Sequence, residues 1–433
     1  MFFYFNSKLI FNNVYITTFY RFIVKMSEHK IQLLNGVPQQ YAWGKVGLSS
    51  MVAKLCDKGD PNFKLAENEP YAELWMGTHI KAPSSLADTN ENLRDFVQKN
   101  KSVLGNKVVD RFDDLPYLFK VLSVAKALSI QAHPNKKNAE KLHAERPEVY
   151  KDPNHKPEMA IALTKFEALC NFRPVEEILN FLKLVPELCA IIGNDSYESF
   201  LAADSDEKKS AALKLCFSKV IRCEKNKIKN KLSALVDRVS KLEGEKLTEV
   251  EGELLLRLNT QFPGDVGCFV LYFLNHIYLQ PGEAMFLRAN VPHAYLDGDC
   301  IECMACSDNV VRAGFTPKLI DAETLIEMLE YKPSSVEQQL FKPETTQHDH
   351  ELLYNPPIED FAVYCVNIPS SVKNYKFSVN ECASIVLIIE GKATLESGTS
   401  IHSGSILFVP SNKALKFENI SEKMLAYRAT CFL

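Results

Sequence analysis

The feature that most constrains this chain is the spacing of its apolar residues, which changes near residue 173 and changes back near residue 262. Before that block, short apolar runs such as "LPYLFKVLSVAKALSIQAH" are punctuated by Gly, Pro and Asn, the habit of antiparallel strands and their turns. Inside it, "PVEEILNFLKLVPELCAII" repeats apolar residues at three and four. The following "DEKKSAALKLCFSKVIRCEKNKIKNKLSALVDRVSKLEGEKLTEVEGELLLRL" is dense in Lys, Glu, Leu and Ala, as helices with one solvated face are. Strand-like texture then returns in "CFVLYFLNHIYLQPGEAMFLRANVPHAYL", a helix is expected over "TPKLIDAETLIEMLE", and a polar, Pro-containing connection at 332–357 leads into a last all-β section. The pattern predicts a mainly β fold with an α insertion.

At 433 residues the chain is longer than one compact core usually fills, so several domains are expected. The expected division is an N-terminal extension at 1–28, a first β part at 29–172, an inserted helical domain at 173–263, a second β part at 264–345 and a C-terminal β domain at 346–433. The opening "MFFYFNSKLIFNNVYITTFYRFIVKM" is interrupted by Asn6, Lys8, Asn12, Asn13 and Arg21 well before a membrane-spanning length is reached. It reads as a non-structural extension, disordered or untranslated, with Met26 as the natural start.

Fifty basic against 54 acidic residues, a formal charge of -4, leave no general footprint for nucleic acid or an anionic membrane, so a small-molecule partner is expected. Twelve cysteines scattered without a repeating frame suit reduced thiols and a cytoplasmic location. Cys300, Cys303 and Cys306 in "CIECMAC" have the spacing of a thiolate metal site but no second cysteine pair, and a strand would turn Cys303 away from its neighbours, so buried structural thiols are expected. The Lys-rich run at 224–231 reads as a helix face, and "HDH" at 348–350 as a solvated stretch of connection.

The β sections contain an internal echo. "YLQPGEAMFLRANVPHAYLDG" and "SIHSGSILFVPSNKALKFEN" share a turn glycine (Gly282, Gly404), a strand carrying Phe286 or Phe408, and a proline (Pro292, Pro410) leading to another strand. Segments of this kind resemble a motif of cupins, jelly-roll β-barrels that often hold a metal, and imply two such barrels plus the helical domain. Where the first copy offers His293 the second offers Asn412 and Lys413, so a metal is expected in the first barrel and none in the second.

Gln131 and His133 in "LSIQAHPNK" lie at i and i+2 of an apolar run and so project to one face of a strand, where they could grip one metal ion. Glu158 in "NHKPEMAIAL" and His293 in "VPHAYLDG" are candidate completions, and one amide oxygen, two imidazoles and a carboxylate make a set suited to zinc. The same residue types also serve structural hydrogen bonds, and the spacing by itself does not choose between the two.

Longer identities do choose. "YAWGKVGLSSMVA", "PYAELWMGTHIKAPS", "LPYLFKVLSVAKALSIQAHPNK", "NHKPEMAIALTKFEALCNFRPVEEI" and "QPGEAMFLRANVPHAYLDGDCIECMACSDNVVRAGFTPKLID" closely resemble the type I phosphomannose isomerase family of the eukaryotic kind, in the family's order from about residue 30 to the C-terminus. The resemblance implies a catalytic cupin with a helical insertion and a C-terminal cupin. It implies one zinc per chain on Gln131, His133, Glu158 and His293, and a monomeric aldose-ketose isomerase that interconverts mannose 6-phosphate and fructose 6-phosphate and so supplies GDP-mannose and glycosylation. Such a reaction moves a proton between C2 and C1 through a cis-enediol, which needs a Lewis acid and a positioned acid-base group. Arg312 in "NVVRAGFTPK" matches the family's catalytic arginine; Lys156 and Glu302 are the two candidates for the proton carrier. Ser129 and Lys120 are candidates for the phosphate end, on the expectation that both share a strand with Gln131 and that Lys120 needs a bulge to reach the same face. Tyr295 and Trp43 are expected to line the sugar pocket. Asp297, where animal members are expected to have serine, is expected in a turn. Two other readings stand beside the isomerase: an iron oxygenase built on the two histidines and the carboxylate, and a non-catalytic cupin that binds a sugar phosphate.

Overall fold

The computed structural model describes residues 30–433, so the expected N-terminal extension lies outside the described residues. Four layers follow one another: a helical layer, an 11-stranded sheet that folds back on itself, an 8-stranded sheet, and a 4-stranded sheet. Helices occupy the block from Val175 to Gln261 almost without interruption, as the spacing predicts. In the Lys225–Val239 helix the buried residues are Ile228, Leu232, Leu235 and Val239, one stripe at helical spacing, and the lysines of "KNKIKNK" take the solvated side.

Strand parity explains the packing of the rest. Along Tyr117–Val124, Phe119 and Val121 enter the apolar layer against the 8-stranded sheet, while Leu122 and Val124 enter the interior enclosed by the 11-stranded sheet. Along Ser384–Glu390, Ile385 and Leu387 face that same layer and Val386 and Ile388 face the 4-stranded sheet. Both faces are covered, which is why these strands read as continuous apolar runs and not as alternation. Chain order is not respected: Gln32–Asn35 and Ser85–Leu86 pair into the 8-stranded sheet, with Gln32 opposite Phe408 and Leu34 opposite Ile406.

The His293–Ala305 strand organises the 11-stranded sheet. Its first half pairs with Phe166–Phe172 and its second half with Tyr117–Val124 and Glu158–Ala162. A straight strand would hold Tyr295 and Glu302 roughly 23 Å apart at about 3.3 Å per residue. Instead the Tyr295 hydroxyl donates to Glu302 at 2.9 Å, so the strand turns a corner between them. Gly298 makes the corner: its φ is +112°, and a Cβ there would lie 2.5 Å from the Lys165 carbonyl oxygen, so no other residue fits. Asp297 precedes that corner and is exposed on the strand, with a register shift opposite Glu167 and Ala168. The expectation of a turn is corrected here: the strand passes through this position, and the register shift opposite Glu167 and Ala168 breaks the alternation, so that Asp297 is exposed beside Lys165, Glu167 and Arg257 and not inside.

The echoed segments share a backbone. Gly282 and Gly404 have φ of +88° and +89°, and Asn290 and Asn412, each eight residues further on, have φ of +64° and +57°. This register corrects the sequence pairing, because the counterpart of His293 is Leu415, fully buried in the apolar cluster of the last section, and not Asn412 or Lys413.

Candidate metal centre

Three strands bring the expected ligands together. Ile130–Ala132 pairs with the His293 strand on one side and with Val311–Gly314 on the other, so Gln131 lies in register with both His293 and Arg312. Outward neighbours decide which way these residues face. Ile130, Ala132, Ala294, Leu296, Val311 and Ala313 are all buried against the helical layer, and period-two alternation then sends Gln131, His293, Tyr295 and Arg312 to the interior. Glu158 opens the Glu158–Ala162 strand, whose Met159 and Ile161 enter the opposite layer.

At the centre, His133 Nε2 and His293 Nε2 each lie 3.3 Å from Glu158 Oε2, and all three residues are at most 2% exposed. Among the described residues, no hydrogen-bond partner reaches any of those three atoms. The other nitrogen of each ring is occupied: His133 Nδ1 lies 2.6 Å from the Asn309 carbonyl oxygen and His293 Nδ1 lies 3.0 Å from the Val291 carbonyl oxygen. Those carbonyls require an Nδ1 proton, which leaves a lone pair on each Nε2 directed at the same spot. Burial pulls the His133 pKa down to about 4, so the imidazole is neutral at physiological pH. Glu158, although burial opposes its ionisation, is held well below the usual carboxylate range by Lys156 and His133, with Lys156 Nζ 2.9 Å from its Oε1. A buried polar atom without a partner costs about 1–3 kcal/mol. Three that converge, two neutral imidazoles and a carboxylate, fit a divalent cation with nitrogen and oxygen preference. Gln131, half-buried and in register with His293, is available as a further oxygen donor.

Beside this centre runs a chain of buried charge. Lys120 Nζ lies 3.0 Å from Glu302 and 3.3 Å from Glu73, Trp75 Nε1 donates to Glu73, and the Tyr295 hydroxyl donates to Glu302. Burial raises the Glu302 pKa, with the neighbouring carboxylates of Glu158 and Glu73 acting in the same direction and Lys120 opposing. Arg312 is half-buried and, among the described residues, its side chain has no hydrogen bond or ion pair; burial alone lowers its pKa from the ordinary value.

The descriptions "Phosphomannose isomerase type I, catalytic domain", "helical insertion domain" and "C-terminal" match residues 31–175, 191–274 and 352–400. A cattle protein named mannose-6-phosphate isomerase is 48% identical over 424 residues, which is 94% of this chain and the whole of the relative. The chain belongs to the type I phosphomannose isomerase family. Another family member, the mannose-6-phosphate isomerase of Saccharomyces cerevisiae, is 42% identical over 93% of this chain and 98% of its own. Among solved structures, the apo mannose 6-phosphate isomerase of Salmonella typhimurium is 32% identical with a TM-score of 0.79, covering 94% of this chain and all of that one. A structure described as the zinc-bound holo form of mannose 6-phosphate isomerase gives the same identity, score and coverage.

Within this family frame, His133, Glu158 and His293 meet at one point, with Lys156, Gln131 and Arg312 around them. Tyr295 shares the interior with Glu302, and Trp43, half-buried, packs against the apolar cluster that contains Tyr295. One placement is corrected. Lys120 and Ser129 do not share the Gln131 strand: Lys120 lies on Tyr117–Val124, which ends before a turn, and Ser129 precedes Ile130–Ala132. The turn forms because the amides of Ala125 and Lys126 both donate to the Trp43 carbonyl, a long-range interaction. Lys120 therefore faces the interior without a bulge, and its ammonium is engaged by two carboxylates. The thiols of Cys300 and Cys303 enter different apolar clusters, as strand parity requires. The sequence reading missed Asn309, whose backbone orients His133, and Glu73; a carbonyl that accepts a ring proton has no side-chain signature.

Proposed function

We propose that this chain is a zinc-dependent aldose-ketose isomerase interconverting mannose 6-phosphate and fructose 6-phosphate, with one zinc held by Gln131, His133, Glu158 and His293. The observation that carries the reading is the convergence of three buried atoms that have no hydrogen-bond partner among the described residues, His133 Nε2, Glu158 Oε2 and His293 Nε2. Zinc held there would supply Lewis-acid chemistry toward a sugar carbonyl oxygen.

The remaining work falls to side chains. Isomerisation moves a proton between C2 and C1, and Glu302, its pKa raised by burial, is suited to hold that proton and return it. The Tyr295 hydroxyl and the Lys120 ammonium fix both of its oxygens. Lys156, the second candidate for the transfer, keeps Glu158 ionised and presents its ammonium beside the centre. Arg312, a permanent cation with no counter-ion among the described residues, is suited to the developing enediolate or to the phosphate. Ser129 is assigned to the phosphate end and Trp43 to the wall of the sugar pocket. Lys120, already paired, acts through Glu302. We infer in addition a monomer and a cytoplasmic location, the location supported by the twelve unpaired thiols.

The test is conversion of mannose 6-phosphate to fructose 6-phosphate before and after chelation, with zinc and iron returned separately. Loss on chelation and recovery with zinc is the expected result; turnover indifferent to the chelator would refute the reading, and recovery with iron alone would redirect it to another metal.

A further inference from the structure

Residues 151–157, which bring Lys156 to Glu158, form no strand or helix and therefore depend on side-chain anchors. Most of these come from the 307–309 loop. Asn309 Nδ2 donates to the carbonyls of Asp152 and Asn154 at 2.6 and 2.9 Å, Ser307 Oγ donates to Asp152 Oδ1 at 2.8 Å, and the Asp308 amide donates to Asp152 Oδ2 at 2.8 Å. One anchor comes from far along the chain. His155 Nε2 lies 3.0 Å from Asp360 Oδ2, and Asp360 belongs to the last β section.

Asp360 is built to hold still. It is 5% exposed, and among the described residues His155 is the only hydrogen-bond partner of its carboxylate. Next to it, Phe361 is 1% exposed in the apolar layer between the two large sheets, and Ile358 packs against the same layer. The carboxylate is thus placed by the seating of the last section, not by the loop it grips. A cavity of about 910 Å³ adjoins the pair, lined by His155, Asp360, Asp308 and Lys136 among others, so the imidazole has room to swing if the carboxylate releases it. A hydrogen bond to a charged group is among the stronger ones available.

We propose that Asp360 is a positioning residue: through His155 it fixes the segment that sets Lys156 against Glu158, so that the last β section takes part in catalysis without touching substrate. The proposal rests on the isomerase reading for its catalytic part. Its physical basis is that small displacements of a positioned group cost rate steeply.

Asp360→Leu keeps the branched shape but removes the acceptor, and Asp360→Ser removes it by shortening; two routes guard against a folding failure in one. With zinc content confirmed equal to wild type, each is expected to lower kcat by on the order of 10- to 100-fold. Asp360→Asn, which still accepts from His155, should restore most of it. Amide hydrogen exchange across 151–157 should quicken in the Leu and Ser variants and not in the Asn variant. A folded Leu or Ser variant with wild-type kcat and unchanged exchange would overturn the proposal, as would an Asn variant as slow as they are. If wild type itself fails to isomerise the sugar, the isomerase reading falls, while the exchange experiment still decides whether Asp360 holds the loop.

Discussion

Residues 282–293 and 404–415 have nearly the same backbone and opposite chemistry. Each begins with a glycine near φ +90° and carries an asparagine in the left-handed region eight residues later. At the next matching position one has His293, facing His133 and Glu158, and the other has Leu415, fully buried among apolar neighbours. A similar contrast separates two interior arginines. Arg428 is satisfied, donating to Ser384 Oγ at 2.8 Å and to the Ser378 carbonyl at 2.6 Å, whereas Arg312 has no partner among the described residues. The comparison teaches that this backbone is indifferent to function: a site appears where polar atoms are left unsatisfied, and the same strands make core where they are not.

The sharpest way to break the comparison is to make the first segment like the second. His293→Leu should keep the fold, lose the metal and lower turnover by about 1000-fold or more, beyond the 10- to 100-fold typical of removing an outer partner of a metal ligand. Metal analysis beside circular dichroism checks it. The arginines should separate by observable. Arg312→Ala is expected to lower kcat/KM by about 100-fold with zinc retained, while Arg428→Ala should leave turnover per folded molecule intact and cost about 3 kcal/mol of stability in a urea titration, because it strips partners from buried acceptors. Going the other way, Leu415→His should gain no metal and lose about 2–4 kcal/mol, since one imidazole without companions is only a buried polar group in an apolar core.

A smaller effect distinguishes how the sections are joined. The last section meets the first through an apolar layer, and the helical insertion meets it through another that is accompanied by a cluster of ions: His276 lies 2.7 Å from Glu167 and 3.1 Å from Glu251, Arg173 pairs with Glu251 at 2.9 Å, and Arg257 pairs with Glu167. Burial would raise the Glu167 pKa, but His276 and Arg257 carry it down to about 2, so its contribution is present above the unfolded carboxylate value and is lost as pH falls toward 2. The two carboxylates raise the His276 pKa against the opposing effect of burial, so its contribution is full below about pH 6.5 and fades as pH rises through the raised value. The stability difference between wild type and His276→Asn should be largest near pH 5.5 and shrink above about pH 7. A difference that grows with pH would be the wrong sign for this junction.

What the sequence discloses follows from the range of the forces involved. Gln131 and His133 could be placed on one face from their spacing, and the helical block from its period, because both are local. Lys120 was misplaced because the turn that separates it from Gln131 is made by amides reaching back to the Trp43 carbonyl, which no local rule contains. Asp297 was misplaced because the bend falls one residue later, where the crowding at Gly298 is tertiary. The pairing of His293 with Asn412 failed for a related reason: counting from the prolines misses that the left-handed asparagines, not the prolines, keep the two copies in step. Asp360 lies 205 residues from His155, and nothing near either residue announces the other.

One titration tests the central claim most directly: zinc added stepwise to metal-free protein, with bound zinc and conversion of mannose 6-phosphate followed in the same samples. If the unsatisfied atoms of His133, Glu158 and His293 are the metal centre, binding and turnover rise together and both stop at one zinc per chain, and His293→Leu shows neither. Turnover at full rate before any zinc binds, or turnover in His293→Leu equal to wild type, would contradict the account.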